Sequence, residues 1–284
     1  MSQRLLVAAA AAILGAAMAV AMMAQAPTQP LTFRTEAACD SVDSALAALA
    51  GIRSSAVVRV RAGFQWQKGI DGTWRPSLWV AAELDPAVSG HEERWESGAE
   101  VSLTMSGEDG VSFEGPRRLL TQEARSALLC LEPQDPLPPG GYAIHASAQP
   151  VGGLVGTSET VRVVVPPFDE KSPNPGRPLL FRRGPFTGRE WQPAGDLRFH
   201  RQERVKVEVA VAGAFSGGVV RLLDRVGKPL PLPVVTTLRD EKGSTTIAGE
   251  LVLAPLGFGD YLLETTVGKG ADARRLLVAF RIVP

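Results

Sequence analysis

The chain has 284 residues, with 30 Lys and Arg against 30 Asp and Glu, so its formal net charge is zero. An apolar content of 45 % with no net charge excludes a disordered chain and a nucleic-acid protein held by bulk charge. Two Cys exclude a disulfide-dense scaffold, and three scattered His leave little for a metal site.

Residues 1–26 read as an export signal or a membrane anchor. Arg4 precedes Leu5 to Ala24, a run without a charge. A short basic start before an apolar run marks export, and about 20 apolar residues also span a bilayer. Ala24-Gln25-Ala26 matches a cleavage pattern, although Pro27 directly after it suits a signal peptidase poorly. The rest of the chain is therefore expected in the periplasm, at the cell surface or secreted, anchored in the inner membrane by residues 5–24 if they stay. Cys39 lies too far downstream to be a lipid-modified first residue.

Residues 27–53 read as a linker and a short helix. Two prolines, Pro27 and Pro30, keep residues 27–34 extended. Thr35 is the expected cap, with Glu36 and Asp40 in the first turns. Val42, Ala45, Leu46 and Leu49 hold the i, i+3, i+4, i+7 spacing, and Gly51 ends the helix.

Beyond Ser55 the period changes to two. Val58-Arg59-Val60-Arg61, Leu78 to Leu84, Val101 to Met105 and Thr160 to Val163 alternate, loosely in the second run. Asp71-Gly72, Asp109-Gly110 and Pro138-Pro139-Gly140-Gly141 punctuate them. Short alternating runs with turn signals and little helical period indicate an all-β antiparallel sandwich or barrel. Residues 167–176 sit in a proline-rich linker, with Pro166, Pro167, Pro173, Pro175 and Pro178 favouring a semi-rigid spacer. Alternation resumes at Val205 to Val209, Val219 to Leu223, Glu250 to Leu253, Tyr261 to Glu264 and Leu277 to Val283.

The two parts echo each other. Pro138 to Ile144 aligns with Leu256 to Leu263, Gly98 with Gly217 or Gly218, and Asp109-Gly110 with Val226-Gly227. This predicts two tandem immunoglobulin- or fibronectin-like β-sandwiches, over residues 54–166 and 177–284. Tyr142 and Tyr261, the only tyrosines, read as structural tyrosine corners whose hydroxyls bond back to the turn backbone. Ile144 and Leu263 stand where antibody-type domains place a Cys.

No catalytic constellation emerges. His91, His145 and His200 are far apart, and Gly213 to Gly217 has the wrong spacing for a nucleophile elbow. Gly257-Phe258-Gly259 is no phosphate loop. Glu92, Glu93, Glu96 and Glu100 read as a solvated acidic face. Cys39 and Cys130 form a disulfide or stay as two thiols, and export permits the bond. Phe64, Trp66, Trp74 and Trp79 read as cross-strand packing, or alternatively as an exposed sugar platform.

Gln29 to Thr35 resembles the segment after the export signal of von Willebrand factor A-related acidobacterial proteins. From about Ala45 the chain is similar to the region following their A domain. Arg221-Leu222-Leu223-Asp224-Arg225 with Gly227 to Leu230, and Leu253 to Leu256 with Gly259-Asp260-Tyr261, carry that likeness. The resemblance implies export and a sandwich tail. The A domain is missing, and its D-x-S-x-S metal motif occurs nowhere, so no metal-site residue transfers.

These observations lead to an exported, non-enzymatic binding or structural module at the cell envelope, without a cofactor. The alternative is a carbohydrate-binding module using Trp66, Trp74 and Trp79. Partners are expected to be a protein or cell-surface polysaccharide, not nucleic acid, with membrane contact through the N-terminal segment if it is uncleaved. Residues 54–166 carry nine basic and fourteen acidic residues, and residues 176–284 seventeen and eleven, so zero is a cancellation. Arg182, Arg183, Arg198, Arg201 and Arg204 form the candidate basic partner-binding face.

Overall fold

The N-terminal segment folds differently from the expectation at Thr35. Phe33–Glu36 is extended (β1), and the helix starts at Val42–Ala50 (α1). Ser41 is its cap, in an extended conformation, with its hydroxyl accepting from Ser44 N–H at 3.2 Å. Thr35 cannot serve because it is paired in a sheet, opposite Arg162. Gly51 closes the helix through its N–H to Ala47 C=O at 3.0 Å. The structure is a computed structural model and describes residues 33–36, 40–51, 57–85, 95–108, 110, 112–133, 135–153, 156–185, 187–241 and 243–284. The export segment 1–26, the linker to Thr32, Cys39, His91, Glu92 and Glu93 lie outside the described residues.

Every other described element apart from a 3₁₀ turn at Gly270–Asp272 is a strand, and the fold is an all-β sandwich architecture. The first half holds β2 (Val58–Lys68), β3 (Trp74–Leu84), β4 (Ala99–Gly107), β5 (Ser112–Glu114), β6 (Arg118–Leu120), β7 (Ser126–Leu131), β8 (Gly140–Pro150) and β9 (Thr157–Val165). One sheet runs β1-β9-β8-β4-β5, with β6 also on β4; the other runs β2-β3-β7. Their inward side chains, among them Leu78, Leu103, Leu131, Ile144 and Val163, share one core.

The second half holds β10 (Pro173–Pro175), β11 (Leu179–Arg183), β12 (Gln192–Pro193), β13 (Arg198–His200), β14 (Arg204–Gly213), β15 (Gly218–Asp224), β16 (Val235–Glu241), β17 (Ser244–Val252), β18 (Gly259–Val267) and β19 (Arg274–Val283). Its sheets run β12-β11-β14-β17-β16, with β10 on β14, and β13-β19-β18-β15. A separate core gathers Val205, Val207, Leu222, Leu263, Phe199 and Phe280. The strand order echoes the first half: β1-β9-β8-β4 parallels β13-β19-β18-β15, and β2-β3-β7 parallels β11-β14-β17. In both, the first strand lies parallel to its neighbour, β1 on β9 and β13 on β19. Gly98 and Gly217 precede the equivalent strands β4 and β15 at φ +96° and +128°, a region that L side chains rarely adopt.

Two connections bind the halves into one unit spanning Phe33–Pro284. While β1 joins a sheet of the first half, the Val42, Ala45, Leu46 and Leu49 face of α1 packs on the core of the second. The proline-rich stretch is also no free spacer. Residues 173–175 pair with β14, Gly176 N–H donates to Ala210 C=O, and Arg177 N–H donates to Phe64 C=O, each at 2.8 Å. Phe168 lies 4.9 Å from Trp66 and stacks on Trp74 at 5.6 Å between ring centroids. The linker prolines hold an extended path, and neighbouring strands supply its hydrogen bonds.

Candidate functional site

Strands with one face in a core ordinarily alternate buried and exposed residues. Strands β2 and β3 do not: Arg59, Arg61, Ser77 and Glu83 are buried along with the valines and leucines. Their second face is covered by the other half, where Trp79 and Ala81 meet Leu179 and Phe181. The seam is ionic at one end. Arg182 lies 3.2 Å from Glu83 and 3.4 Å from Glu203. Arg59 pairs with Asp196 across the seam and sits 3.3 Å from Asp85.

Backbone groups complete this cluster. Glu83 accepts from the N–H groups of Gly195 and Asp196 at 3.1 and 3.0 Å. Arg182 donates to the carbonyls of Asp196 and Arg198, and its guanidinium lies 4.6 Å from the Phe199 ring centroid. A side chain at Gly195 would meet Arg59 C=O at 2.4 Å, so the close approach of the two backbones requires glycine. Burial pushes the Glu83 and Asp196 carboxyls above the usual range, while the neighbouring arginines pull them back. Arg198 joins Asp196 and Arg125 joins Asp85 at the rim, so four arginines meet four acids, and a closed, internally paired cluster suits fixing an orientation better than meeting a ligand.

The expected basic face is therefore divided. Arg182 is interior, because three acids and two carbonyls draw it into the seam. Arg198 is half-buried and neutralised by Asp196 at 3.2 Å. Arg201 is exposed and donates to Ala254 C=O at 2.6 Å. Arg183 and Arg204 stand directly opposite each other in register, half-buried and exposed respectively, on the face of β11 and β14 that also carries the seam residues Leu179 and Phe181. Neither pairs with a carboxylate among the described residues. Beside them the Trp191 ring lies 4.5 Å from the Arg183 guanidinium and 5.1 Å from Lys206 Nζ. Lys206 also sits 4.4 Å from the Phe181 ring and 2.8 Å from Glu208.

Sequence reasoning missed Trp191 and the buried acids Glu83, Asp196 and Glu203. The interleaving of Phe181-Arg182-Arg183 with Arg189-Glu190-Trp191 was the available signal for the ring. No local pattern marks the acids, because their burial comes from the other half.

The tryptophan platform does not exist as a surface. Trp66 and Trp79 are 4 % and 2 % exposed, one in the first core and one in the seam; Trp74 is half-buried against Phe168. The rings are consumed by packing, since β2 and β3 are covered on both faces. A cleft of about 710 Å³ runs beside the linker, lined by Phe64, Trp66, Val164, Pro173, Arg177 and Leu276 among others.

The tyrosines occupy equivalent corners. Tyr142 donates to Pro138 C=O, and Tyr261 to Gly257 C=O at 3.1 Å, each four residues upstream. Cys130 is a half-buried free thiol opposite Trp79, and burial raises its pKa. His145 lies 3.1 Å from the Thr160 hydroxyl, and His200 lies 2.6 Å from Pro284 C=O. Glu96 is exposed, and exposed Glu100 sits 3.6 Å from Arg117. Among the described residues no three His, Cys, Asp or Glu gather as a metal-capable group, and no helix is long and apolar enough to cross a membrane. No protein-family model matches the sequence, and no curated protein matches it.

Proposed function

We propose that the protein is an exported, non-enzymatic binding module of the cell envelope, built from two immunoglobulin-like units held as one rigid piece. The supporting observation is the ionic seam. The densest set of titratable groups in the described chain is buried and neutralised between the halves, instead of facing a cleft where substrate would sit. What the fold leaves outward is sheet faces and end loops, where sandwich proteins carry recognition. The uncharged run from Leu5 to Ala24 supports export. The likeness of residues 221–230 and 253–261 to the tail of von Willebrand factor A-related proteins points the same way.

Fractionation of cells making the full chain with a C-terminal epitope tests this reading. The tag is expected in the envelope or the medium, and Ile13→Arg with Leu14→Arg is expected to hold it in the cytoplasm. An unmodified chain that stays cytoplasmic overturns the proposal.

A further inference from the structure

We infer that the end of the second half formed by the turns at Val226 and Phe258 docks on an anionic lipid bilayer, with Arg201, Arg225 and Lys228 on the headgroups and the two apolar side chains beneath them. The inference deepens the envelope-module reading and rests on it, since it names the surface that such a module meets. Val226 is 73 % exposed and Phe258 61 %. They belong to one end of one sheet. Strand β15 leaves through Asp224 and β18 enters at Gly259, and Asp224 stands opposite Tyr261 in register. Adjacent strands lie about 4.8 Å apart, so the turn after Asp224 and the loop before Gly259 project side by side. The Tyr261 hydroxyl donates to Gly257 C=O at 3.1 Å and ties that loop to its strand.

The free charge around these tips has one sign. Arg201 is exposed and donates to Ala254 C=O at 2.6 Å, which places its guanidinium on the Phe258 loop. Arg225 and Lys228 flank Val226, and both are exposed. None of the three pairs with a carboxylate among the described residues. The acids of the flanking segments are engaged elsewhere. Asp224 Oδ1 accepts the N–H groups of Val226 and Lys228 at 3.0 and 2.8 Å. Asp260 pairs with Arg281 at 2.6 Å, and Glu203 is buried with Arg182. Val42 of α1 packs against Gly227, and Asp43 beside it is the one acid that this helix brings.

The first half shows that the fold does not require these side chains. Gly110 N–H donates to Gly107 C=O at 3.1 Å, and Gly227 N–H donates to Asp224 C=O at 3.0 Å, with the two glycines at φ +83° and +84°. The turns match, yet the first carries Glu108-Asp109 where the second carries Arg225-Val226. Likewise Tyr142 donates to Pro138 C=O as Tyr261 does to Gly257 C=O, so Pro139 is the counterpart of Phe258. A Cβ at Gly259 would meet nothing within 4 Å, and one at Gly257 only the Tyr261 hydroxyl at 3.8 Å, so Phe258 rises from a bare turn. Two apolar tips among unpaired cations match a bilayer, where acyl chains take the tips and anionic headgroups take the cations. A folded protein partner needs a broad buried core with pockets for its anchors, and turns that stand alone do not supply one.

The test uses the full chain carrying Ile13→Arg and Leu14→Arg in every sample, so that the apolar run of residues 5–24 does not insert on its own. Sedimentation with vesicles of phosphatidylcholine and phosphatidylglycerol is expected to show binding that salt weakens, and vesicles of phosphatidylcholine alone are expected to bind at least about tenfold more weakly. Val226→Asp with Phe258→Ser is expected to reduce binding to the mixed vesicles at least about tenfold. Phe258→Leu keeps an apolar tip and is expected to keep binding. Arg225→Gln with Lys228→Gln is expected to remove most of the preference for phosphatidylglycerol. Leu119→Ser with Val151→Ser, at exposed apolar positions of the first half, is expected to change nothing. Thermal unfolding confirms that each variant folds, and the Arg225–Lys228 variant carries the test if the Val226–Phe258 variant does not. Absence of binding to the mixed vesicles, undiminished binding by the Val226–Phe258 variant, an equal loss in the Leu119–Val151 variant, or polyglutamate bound as tightly as the mixed vesicles overturns the inference. Vesicle binding is read on purified protein and leaves the export fractionation unaffected, so the two readings fail separately.

Discussion

Arg182 of β11 and Glu83 of β3 come from different halves of the chain and meet 3.2 Å apart in the interior. Removing one partner of a buried pair strands the other charge, a loss of about 3–5 kcal/mol, whereas replacing both with apolar groups is often neutral. Arg182→Met is therefore expected to destabilise the protein by about that amount, since Glu83 and Glu203 both lose a counter-charge. Glu83→Gln combined with Arg182→Met is expected to cost less than the sum of the two single changes. Urea unfolding of the four proteins measures the coupling, and strict additivity argues that the pair does not act as a unit.

The same carboxylate gives the seam a pH signature. Burial places the folded Glu83 pKa above its unfolded value, despite Arg182 and the two backbone donors. Between those two values the native state holds the proton more than the unfolded state does. Stability carried by this group is then highest at low pH and falls as pH rises through the window, levelling above the folded pKa. Glu83→Gln keeps an acceptor for Gly195 and Asp196 and removes the titration. Subtracting its unfolding free energy from that of the unmodified protein cancels groups remote from Glu83, including exposed Asp71 and Asp169, whose carboxyls their hydrogen bonds hold down. The difference is expected to fall with rising pH just above the ordinary carboxylate range. A flat or rising difference contradicts the burial argument.

Gly195 tests whether backbone contact, and not charge alone, sets the joint. A Cβ there meets Arg59 C=O at 2.4 Å and the Glu83 amide nitrogen at 2.9 Å. These are backbone atoms and cannot swing away. Gly195→Ala is expected to cost about 1–3 kcal/mol by overpacking. It should also weaken the Gly195 and Asp196 N–H bonds to Glu83. Hydrogen exchange of the Asp196 amide reports this locally: faster exchange is expected in the variant, and unchanged protection with unchanged stability contradicts the tight approach.

The period-two runs carried the fold because each core-facing strand obeys a local rule. Val205 to Val209 alternates inside and outside as the sequence implies, and Tyr142 and Tyr261 mark corners through a contact only four residues long. What depends on distant chain was hidden. Arg59 and Arg61 alternate with valines as a solvated face would, yet both are buried because the second half covers β2. Arg182 and Arg183 are adjacent and look equivalent, while the strand's pleat puts Arg182 on the core side with Leu180 and Val205, buried among acids, and leaves Arg183 half-buried on the opposite side with Phe181 and Trp191. Thr35 has the chemistry of a cap, but its place on β9 left that role to Ser41.

The two corners offer a comparison inside one chain. Tyr142 and Tyr261 donate to carbonyls at the same spacing, so the bonds themselves are alike. Their surroundings differ: Tyr142 is 2 % exposed in the first core, whereas Tyr261 is half-buried and stacks on Phe280 at 5.9 Å. A lost hydrogen bond costs about 1 kcal/mol, and more when the partner is left without water. Tyr142→Phe is expected to cost about 1–2 kcal/mol, because the hydroxyl belongs to a ring only 2 % exposed, although Pro138 itself is exposed. Tyr261→Phe is expected to cost about 0.5 kcal/mol, since solvent replaces the hydroxyl near Gly257. Equilibrium unfolding of both variants decides the order. If Tyr261→Phe proves the more costly, solvent access at the corner is not what grades these bonds.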